Sequence, residues 1–231
     1  MPPPTATIRV SDRLVLVEIV GRLPYASNAT FLSLDGEGRQ WVYKPDRGEQ
    51  PLWDFSTGTL SVREVLTWEA AEAMGLGLVP ETRLAEGRFG PGSAQAFIEE
   101  DVEFDPRTLF EGPSDLLWPV AVLDVVTNNA DRKIGHIISE ADTGRLWAID
   151  NALTFHHEDK LRTVLWDFAG QNIPPALVTA AGLLTEFAHR VGEALGRREG
   201  AALRRRVTNL LDRPIHPYPP TDRPPIPWPI W

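Results

Sequence analysis

Cysteine is absent from the 231-residue sequence. This absence excludes a disulfide framework, a metal site built on thiolates and a cysteine nucleophile. A chain without cysteine fits a reducing compartment, and we expect the protein to be cytoplasmic. With 42% hydrophobic and 24% charged residues, the composition is that of a globular chain that can bury a core as one domain or as two closely packed lobes.

Long apolar runs and a surplus of basic residues are also missing. No window approaches the roughly eighteen apolar residues of a membrane span, and the Met1-Pro2-Pro3-Pro4 start lacks the basic and apolar regions of a secretory signal. The net charge is -9, whereas nucleic acids and anionic membrane surfaces favour basic patches. We therefore expect no nucleic-acid partner and no integral association with a membrane.

The first hundred residues are rich in strand patterns. A loop rich in Pro, Gly, Asp and Ser is predicted over 45–58, followed by a helix from Ser61 to about Met74. A turn is predicted over 87–92, between the last two strands. Runs of β-branched and aromatic residues predict strands in four segments: 6–20, 30–44, 81–85 and 95–99.

The rest of the chain has a different character. A mostly apolar helix is predicted over 116–126, and the polar loop 127–133 follows it directly. A β-hairpin then delivers Asp150, its arms predicted at 135–139 and 145–149. Further helices are predicted over 175–195 and 198–212. The last nineteen residues, 213–231, hold eight prolines with Trp228 and Trp231, which predicts an extended or loosely packed tail rather than core.

Two aspartates and one lysine carry the chemical pattern. Asp131 lies in an irregular loop after a buried helix, where a carboxylate can project into a cleft. Asp150 follows nineteen residues later, after a hairpin that can return the chain to the same place. Phosphoryl transfer needs a carboxylate near the attacking hydroxyl, oxygen ligands for Mg²⁺ and a cation on the nucleotide phosphates. The aspartates therefore suit an acid/base and metal pair, with Lys44, one of only three lysines in the chain, as the cation.

The segments around these residues resemble the phosphatidylinositol 3/4-kinase-like superfamily. The run 131–136, Asp-Arg-Lys-Ile-Gly-His, is similar to the catalytic loop of that family, and Ile149-Asp150-Asn151 is similar to its metal-aspartate segment. The strand 41–45 resembles the one that bears the phosphate-binding lysine, and 22–30 resembles the loop that covers the phosphates. The sequence is even more similar to a bacterial branch of that superfamily. This branch has a Tyr-Lys-Pro strand, an Asn-Asn-Ala-Asp-Arg-Lys loop and the run seen at 161–168.

The resemblance covers most of the chain from about 21 to 170 and implies an α+β fold. It is the compact bilobal protein-kinase-like fold, with a β-rich N-lobe over 1–100 and a mainly helical C-lobe over 101–212. Residues 213–231 are left as the Pro/Trp-rich tail. ATP, with Mg²⁺ or Mn²⁺, is expected between the two lobes.

The resemblance also implies roles for individual residues. Asp131, with Arg132 beside it, takes the catalytic position, and Asp150 takes the metal position together with His136. Lys44 would bridge the phosphates of ATP. The remaining cofactor-binding residues are Ser27 and Asn28 at the phosphates, Glu64 beside Lys44, and Phe97 and Ile98 near the adenine.

Several of these residues also allow a simpler interpretation. Asp131 could cap its own turn, and Lys44 could be an exposed lysine at the end of a strand. Glu64 follows Ser61 at the spacing of a capping box. His136 stands where the better-known kinases place an asparagine, and imidazole is a poorer partner for Mg²⁺ than an amide oxygen is.

The predicted function is that of an ATP-dependent phosphotransferase acting on an unidentified hydroxyl acceptor. A protein Ser/Thr or a small molecule is favoured over a lipid, because the chain is acidic. One alternative is a nucleotide-binding pseudokinase that regulates a partner protein, with the tail as its docking segment. The third is a metal-dependent phosphohydrolase that would use Asp131 and Asp150 with three histidines: His136, His156 and His157.

Overall fold

The structure is a computed structural model, and it describes residues 13–23, 29–111 and 115–231. Five strands form a closed barrel in the N-terminal part, with one helix between its third and fourth strands, and a two-stranded hairpin and four helices lie in the rest of the chain. The strands are β1 Leu14–Arg22, β2 Phe31–Asp35, β3 Gln40–Pro45, β4 Thr82–Gly87, β5 Gly90–Ala96, β6 Ile137–Ser139 and β7 Leu146–Ala148. The helices are α1 Leu60–Ala73, α2 Trp118–Thr127, α3 Pro175–Gly182, α4 Leu184–Leu195 and α5 Arg197–Asp212.

The barrel has the strand order β1-β2-β3-β5-β4 and closes where β1 pairs in parallel with β4. Apolar side chains that alternate along the strands fill its interior, as a half-buried strand requires. The predicted segment 30–44 covers β2 and all of β3 except Pro45, and the part of 6–20 that the structure describes overlaps β1, which continues to Arg22. The main buried members of this small core are Leu16, Trp41, Tyr43, Ala85 and Ala94.

The predicted turn over 87–92 is present but shorter, because β5 begins at Gly90 rather than at 95. Gly87 pairs with Gly90, so only Arg88 and Phe89 connect the strands. Gly92 lies inside β5 opposite Pro45, and a Cβ atom at that position would lie 2.2 Å from the carbonyl oxygen of Lys44. The glycine therefore permits a close approach of β5 to β3 rather than a turn.

The C-terminal part is built around α2. This helix is almost fully apolar and contributes six buried hydrophobic residues to the main core, which α1, α3, α4 and α5 complete. Asn128 ends α2 in the left-handed conformation, with φ of 60°, which asparagine tolerates better than most residues. The helix predicted over 175–195 is in fact two helices, α3 and α4, and α3 ends at Gly182, a residue with low helix propensity.

The segment 213–231 contains no helix or strand element, but it is not a loose tail. His216 is fully buried, against the rings of Trp118, Trp166 and Phe168. Proline lacks an N–H group but keeps its carbonyl, and Pro225 accepts from the Thr163 N–H at 3.1 Å. The expectation that this segment lies outside the core is therefore wrong.

No helix in the described ranges is both long and apolar enough to cross a membrane.

Candidate active site

A cleft of about 490 Å³ lies between the barrel and the C-terminal part. The barrel side is formed by β3, the end of β5 and the residues after it, including Phe97 and Ile98. The opposite wall comes from the segment 133–138 and from the end of β7. The candidate residues that line it are Lys44, Phe97, Ile98, His136 and Asp150.

Lys44 is held between two carboxylates. Its Nζ atom lies 2.5 Å from Glu64 Oε1 and 3.0 Å from Asp150 Oδ1. The second Glu64 oxygen accepts from the Ser93 hydroxyl of β5, so the buried carboxylate is satisfied on both sides. Burial alone would lower the pKa of Lys44, but Asp150 and Glu64 outweigh it and raise that pKa, so the side chain is charged.

Glu64 does not form the capping box that its sequence position allows. Thr59 is the N-cap residue of α1, and no side chain caps this end of the helix. Glu64 faces β3 and is only 2% exposed. A buried carboxylate is tolerated here because Lys44 and Ser93 both bind it.

Asp150 lies just after β7, where its backbone is strained. Its φ angle is 56°, a conformation that non-glycine residues rarely adopt. The charge of Lys44 holds the pKa of Asp150 well below its ordinary value, against the opposing effect of burial. The side chain is therefore an ionised carboxylate at the edge of the cleft, the form that binds a hard divalent cation.

His136 contacts Asp150 on the side away from Lys44. Its Nε2 atom lies 3.4 Å from Asp150 Oδ2, and its Nδ1 atom faces the Lys133 N–H at 3.5 Å. Burial lowers the pKa of His136 to about 4, so the ring is neutral at pH 7. Because Nδ1 accepts, the ring hydrogen lies on Nε2, the nitrogen that is 3.4 Å from Asp150 Oδ2.

The fit of this pair to a metal can be judged from the donors. Asp150 offers carboxylate oxygens, and His136 can bind through Nε2 only after its hydrogen has moved to Nδ1. In the described ranges, no group of three or more His, Asp or Glu side chains is placed to hold a metal by itself. Two protein ligands fit a Mg²⁺ or Mn²⁺ ion whose remaining positions are filled by phosphate oxygens and water.

Asp131 lies on the loop between α2 and β6. The loop is shaped by Asn129, whose side chain accepts from the Asp131 N–H at 2.9 Å and donates to Asp124 at 3.0 Å. The Asp131 carboxylate pairs with Lys133 at 3.1 Å. Burial raises the pKa of Asp131, and Lys133 opposes that effect. A carboxylate with a raised pKa is a better proton acceptor than an ordinary aspartate.

Arg132 is fully buried beneath the loop, so its side chain positions the site and cannot contact a substrate. Its guanidinium binds the Asp124 carboxylate, with a shortest distance of 3.0 Å, and donates to Asn151 Oδ1 at 2.6 Å and to the Ile149 carbonyl at 2.9 Å. One side chain thereby joins the loop of Asp131 to the turn of Asp150. Sequence reasoning missed Asp124, although it is the one charged residue of α2.

The remaining candidates lie in different places. Ser27 and Asn28 fall outside the described ranges. His156 binds the Asp54 carbonyl at 2.9 Å, and His157 contacts Glu199 at 3.2 Å. These two histidines have their own partners, so they do not join Asp131 and Asp150 in the site that the phosphohydrolase alternative requires.

Trp231 also lines the cleft, which sequence reasoning missed. The Ile230 carbonyl accepts from the Ile134 N–H at 2.9 Å, which fixes the chain beside the segment 133–136. A Cβ atom on Gly135 would lie 3.3 Å from the Trp231 ring, so glycine leaves room for the indole. A signal for this contact was present in the sequence. Large apolar side chains are usually at least partly buried, so a tryptophan in a proline-rich segment indicates that the segment packs against the rest of the chain.

This chain has a relative of similar sequence among known proteins. No family model matches the chain. It is 37% identical, over an aligned length of 272 positions, to "Protein Rv2133c" of Mycobacterium tuberculosis (strain ATCC 25618 / H37Rv), and the match covers 97% of each protein.

Two solved structures are similar in fold. The Helicobacter pylori proinflammatory kinase CtkA has a TM-score of 0.53 at 12% identity, with 86% of this chain and 92% of that one covered. The Golgi casein kinase with Mn/ADP bound has a TM-score of 0.52 at 11% identity, with 87% and 72% covered. The predicted α+β kinase-like fold, strand-rich at its N-terminal end and helical at its C-terminal end, is confirmed.

Proposed function

The chain belongs to the same family as Protein Rv2133c of Mycobacterium tuberculosis, and we propose that it is an ATP-dependent kinase that phosphorylates a hydroxyl group. One observation carries this proposal: in a kinase-like fold, Lys44 is held by Glu64 and Asp150 at the edge of a cleft large enough for a nucleotide. A lysine, a carboxylate that holds it and a metal carboxylate are the parts that phosphoryl transfer from ATP requires.

The roles follow from the positions of the side chains. Lys44 binds the nucleotide phosphates, while Asp150 and His136 would hold Mg²⁺ or Mn²⁺, which neutralises the phosphate charge when bound. Asp131 takes the proton from the acceptor hydroxyl as its oxygen bonds to the γ-phosphorus and the bond to the leaving ADP breaks. Arg132 positions both aspartates.

The nucleotide contacts are proposed along the cleft. Backbone groups near Phe97 and Ile98 bind the adenine, which fits their place on the cleft wall. Trp231 offers an aromatic face on the opposite side. Ser27 and Asn28 are proposed to contact the phosphates.

Membership of the phosphatidylinositol 3/4-kinase-like superfamily is part of the proposal, as are the lobe boundaries 1–100 and 101–212. The acceptor is proposed to be a protein Ser/Thr or a small molecule in the cytoplasm, because a chain of net charge -9 does not favour an anionic lipid surface.

A nucleotide-binding pseudokinase is the second candidate. It is favoured by His136, whose Nε2 atom carries a hydrogen beside Asp150 and is therefore not free to bind a metal. Trp228, which is 89% exposed, would then be the contact for a partner protein.

Radiolabelled ATP with Mg²⁺ or Mn²⁺ distinguishes these candidates. A kinase transfers label to itself or to an added acceptor, and Asp131→Asn abolishes the transfer. Nucleotide that raises the melting temperature without any transfer supports the pseudokinase. Release of phosphate from a monoester without ATP contradicts both.

A further inference from the structure

A second cavity, of about 460 Å³, lies in the C-terminal part. It is enclosed by α5, by the segment 159–166 and by residues 213–223. We call it the α5 cavity. It shares no lining residue with the cleft of Lys44. Its contents therefore do not follow from the proposed kinase chemistry.

The walls of the α5 cavity carry more positive than negative charge. Arg206, Arg213 and Arg223 line it, and Asp159 is the carboxylate among the lining residues. Arg223 pairs with Asp159 at 3.1 Å. Two positive charges remain without a carboxylate in the wall, so the cavity favours an anion.

Arg206 has a guanidinium nitrogen without a partner in the described ranges, as Arg223 has at its Nε atom. Its guanidinium donates to the carbonyls of Val126 at 2.9 Å and His156 at 3.2 Å, and within the described ranges its Nη2 atom has no partner. Burial lowers the pKa of Arg206 to about 10, so it stays charged at pH 7. Burying a cation without an opposite charge is costly, and an anion in the cavity would offset that cost.

His216 adds a second unsatisfied group to the same wall. Its Nδ1 atom lies 3.1 Å from the Pro217 carbonyl and therefore carries the hydrogen, which leaves Nε2 as an acceptor. Nε2 is buried and has no partner in the part of the chain that the structure describes. A neutral ring nitrogen with a free lone pair does not attract an oxyanion, so the charge preference of the cavity depends on its arginines and not on His216.

The rest of the lining is apolar and aromatic. Trp166 and Tyr218 provide flat faces, and Leu161 and Leu210 provide aliphatic contacts. Pockets with apolar walls and a few polar groups that converge are typical of small-molecule sites. We propose that the α5 cavity binds a small organic oxyanion, a phosphate or carboxylate, that carries a flat apolar body.

Isothermal titration calorimetry on the full chain tests this proposal with three probes: 1-naphthyl phosphate, uncharged 1-naphthol and inorganic phosphate. We expect 1-naphthyl phosphate to bind at least about tenfold more tightly than either of the others, because only it offers both charge and ring. Binding should weaken as salt is added. Equal binding of 1-naphthol, or no binding of 1-naphthyl phosphate at millimolar concentration, contradicts the proposal.

Variants assign the binding to this cavity. Arg213→Gln, at the exposed end of α5, should weaken 1-naphthyl phosphate about fivefold, and Arg206→Gln should weaken it more. Arg204→Gln, an exposed arginine of α5 outside the cavity, is the matched control and should have no effect. Lys44→Met removes the cation of the cleft and should also have no effect.

Two results would overturn the assignment. One is loss of binding in Lys44→Met, which would place the probe in the cleft. The other is unchanged binding in Arg213→Gln together with Arg206→Gln, with folding of Arg206→Gln verified by circular dichroism. Both are separable from failure of the kinase proposal, because no phosphoryl transfer is measured.

Discussion

Two arginines of the C-terminal part, the buried Arg132 and the half-buried Arg206, have opposite surroundings. Arg132 is fully enclosed, and its charge is matched by the carboxylate of Asp124. Arg206 lies in the wall of the α5 cavity, where carbonyl oxygens accept from it and no carboxylate pairs with it in the described ranges. The first arrangement is complete without a ligand and holds a site in place. The second leaves a positive charge that the proposed anion would balance.

The largest effect should come from Asp131, the proposed catalytic residue, which lies beside Arg132 on the same loop. Asp131→Asn removes the proton acceptor and should lower the rate of phosphoryl transfer by about 10²- to 10⁴-fold. The measurement is transfer of labelled phosphate at saturating ATP. The melting temperature should stay near that of the parent, and full activity would remove Asp131 from the mechanism.

Substitution of Arg132, which pairs with Asp124, should lower the free energy of unfolding and not only the rate of phosphoryl transfer. Arg132→Met leaves Asp124 buried without its partner and should cost about 3–5 kcal/mol of unfolding free energy. The double variant with Asp124→Leu should be less destabilised than Arg132→Met, because it leaves no buried charge. Urea unfolding checks both, and equal losses in the single and double variants would argue against a paired charge.

Protonation of His216 should destabilise the side of the molecule that contains the α5 cavity. Burial lowers the pKa of His216 from its ordinary value of 6.5 to about 4, so the unfolded chain binds the extra proton first. Stability from this group is fully present above about pH 6.5 and is lost as the pH falls toward 4, on the order of 3 kcal/mol.

Urea unfolding between pH 7 and pH 4.5 tests this expectation. His216→Leu should show a smaller loss than the parent over that range. His136, whose pKa is also lowered to about 4, is present in both proteins and cancels in the comparison. Identical pH dependence would mean that His216 does not titrate as a buried group.

Substitution of Trp231, which lines the cleft, should change the affinity of the cleft for nucleotide. Trp231→Ala removes an aromatic face and should weaken ADP binding about tenfold, within the range of base stacking on aromatic side chains. Trp228→Ala, a change at a highly exposed tryptophan of the same segment, is the control. Tighter binding in Trp231→Ala would show instead that the indole obstructs the cleft.

The smallest expected change restores the asparagine of the better-known kinases. His136→Asn replaces an imidazole whose Nε2 atom carries a hydrogen with an amide oxygen, and should raise Mg²⁺-dependent transfer by about three- to tenfold. The dependence of the rate on Mg²⁺ concentration is the measurement. A lower rate in this variant would identify His136 as the better metal ligand for this chain.

Local patterns were sufficient for most of the fold and for the positions of the main candidates. β-branched runs predicted the strands that carry Lys44, and the apolar run before Asn128 predicted α2. The hairpin between Asp131 and Asp150 was predicted because short-range alternation and turn residues determine hairpins. The glycines of 87–92 were misread, since glycine supports both turns and close strand contacts.

The sequence by itself determined which side chains can do chemistry: a chain without cysteine, with three lysines, and with Asp131 and Asp150 on either side of a hairpin. Only the tertiary structure decided what each of them contacts. Lys44 and Asp150 are 106 residues apart, and neither the Asp124–Arg132 pair, the place of Trp231 nor the α5 cavity follows from local pattern. Periodicity reports which face of an element is buried, whereas pairing across a fold depends on how those elements pack.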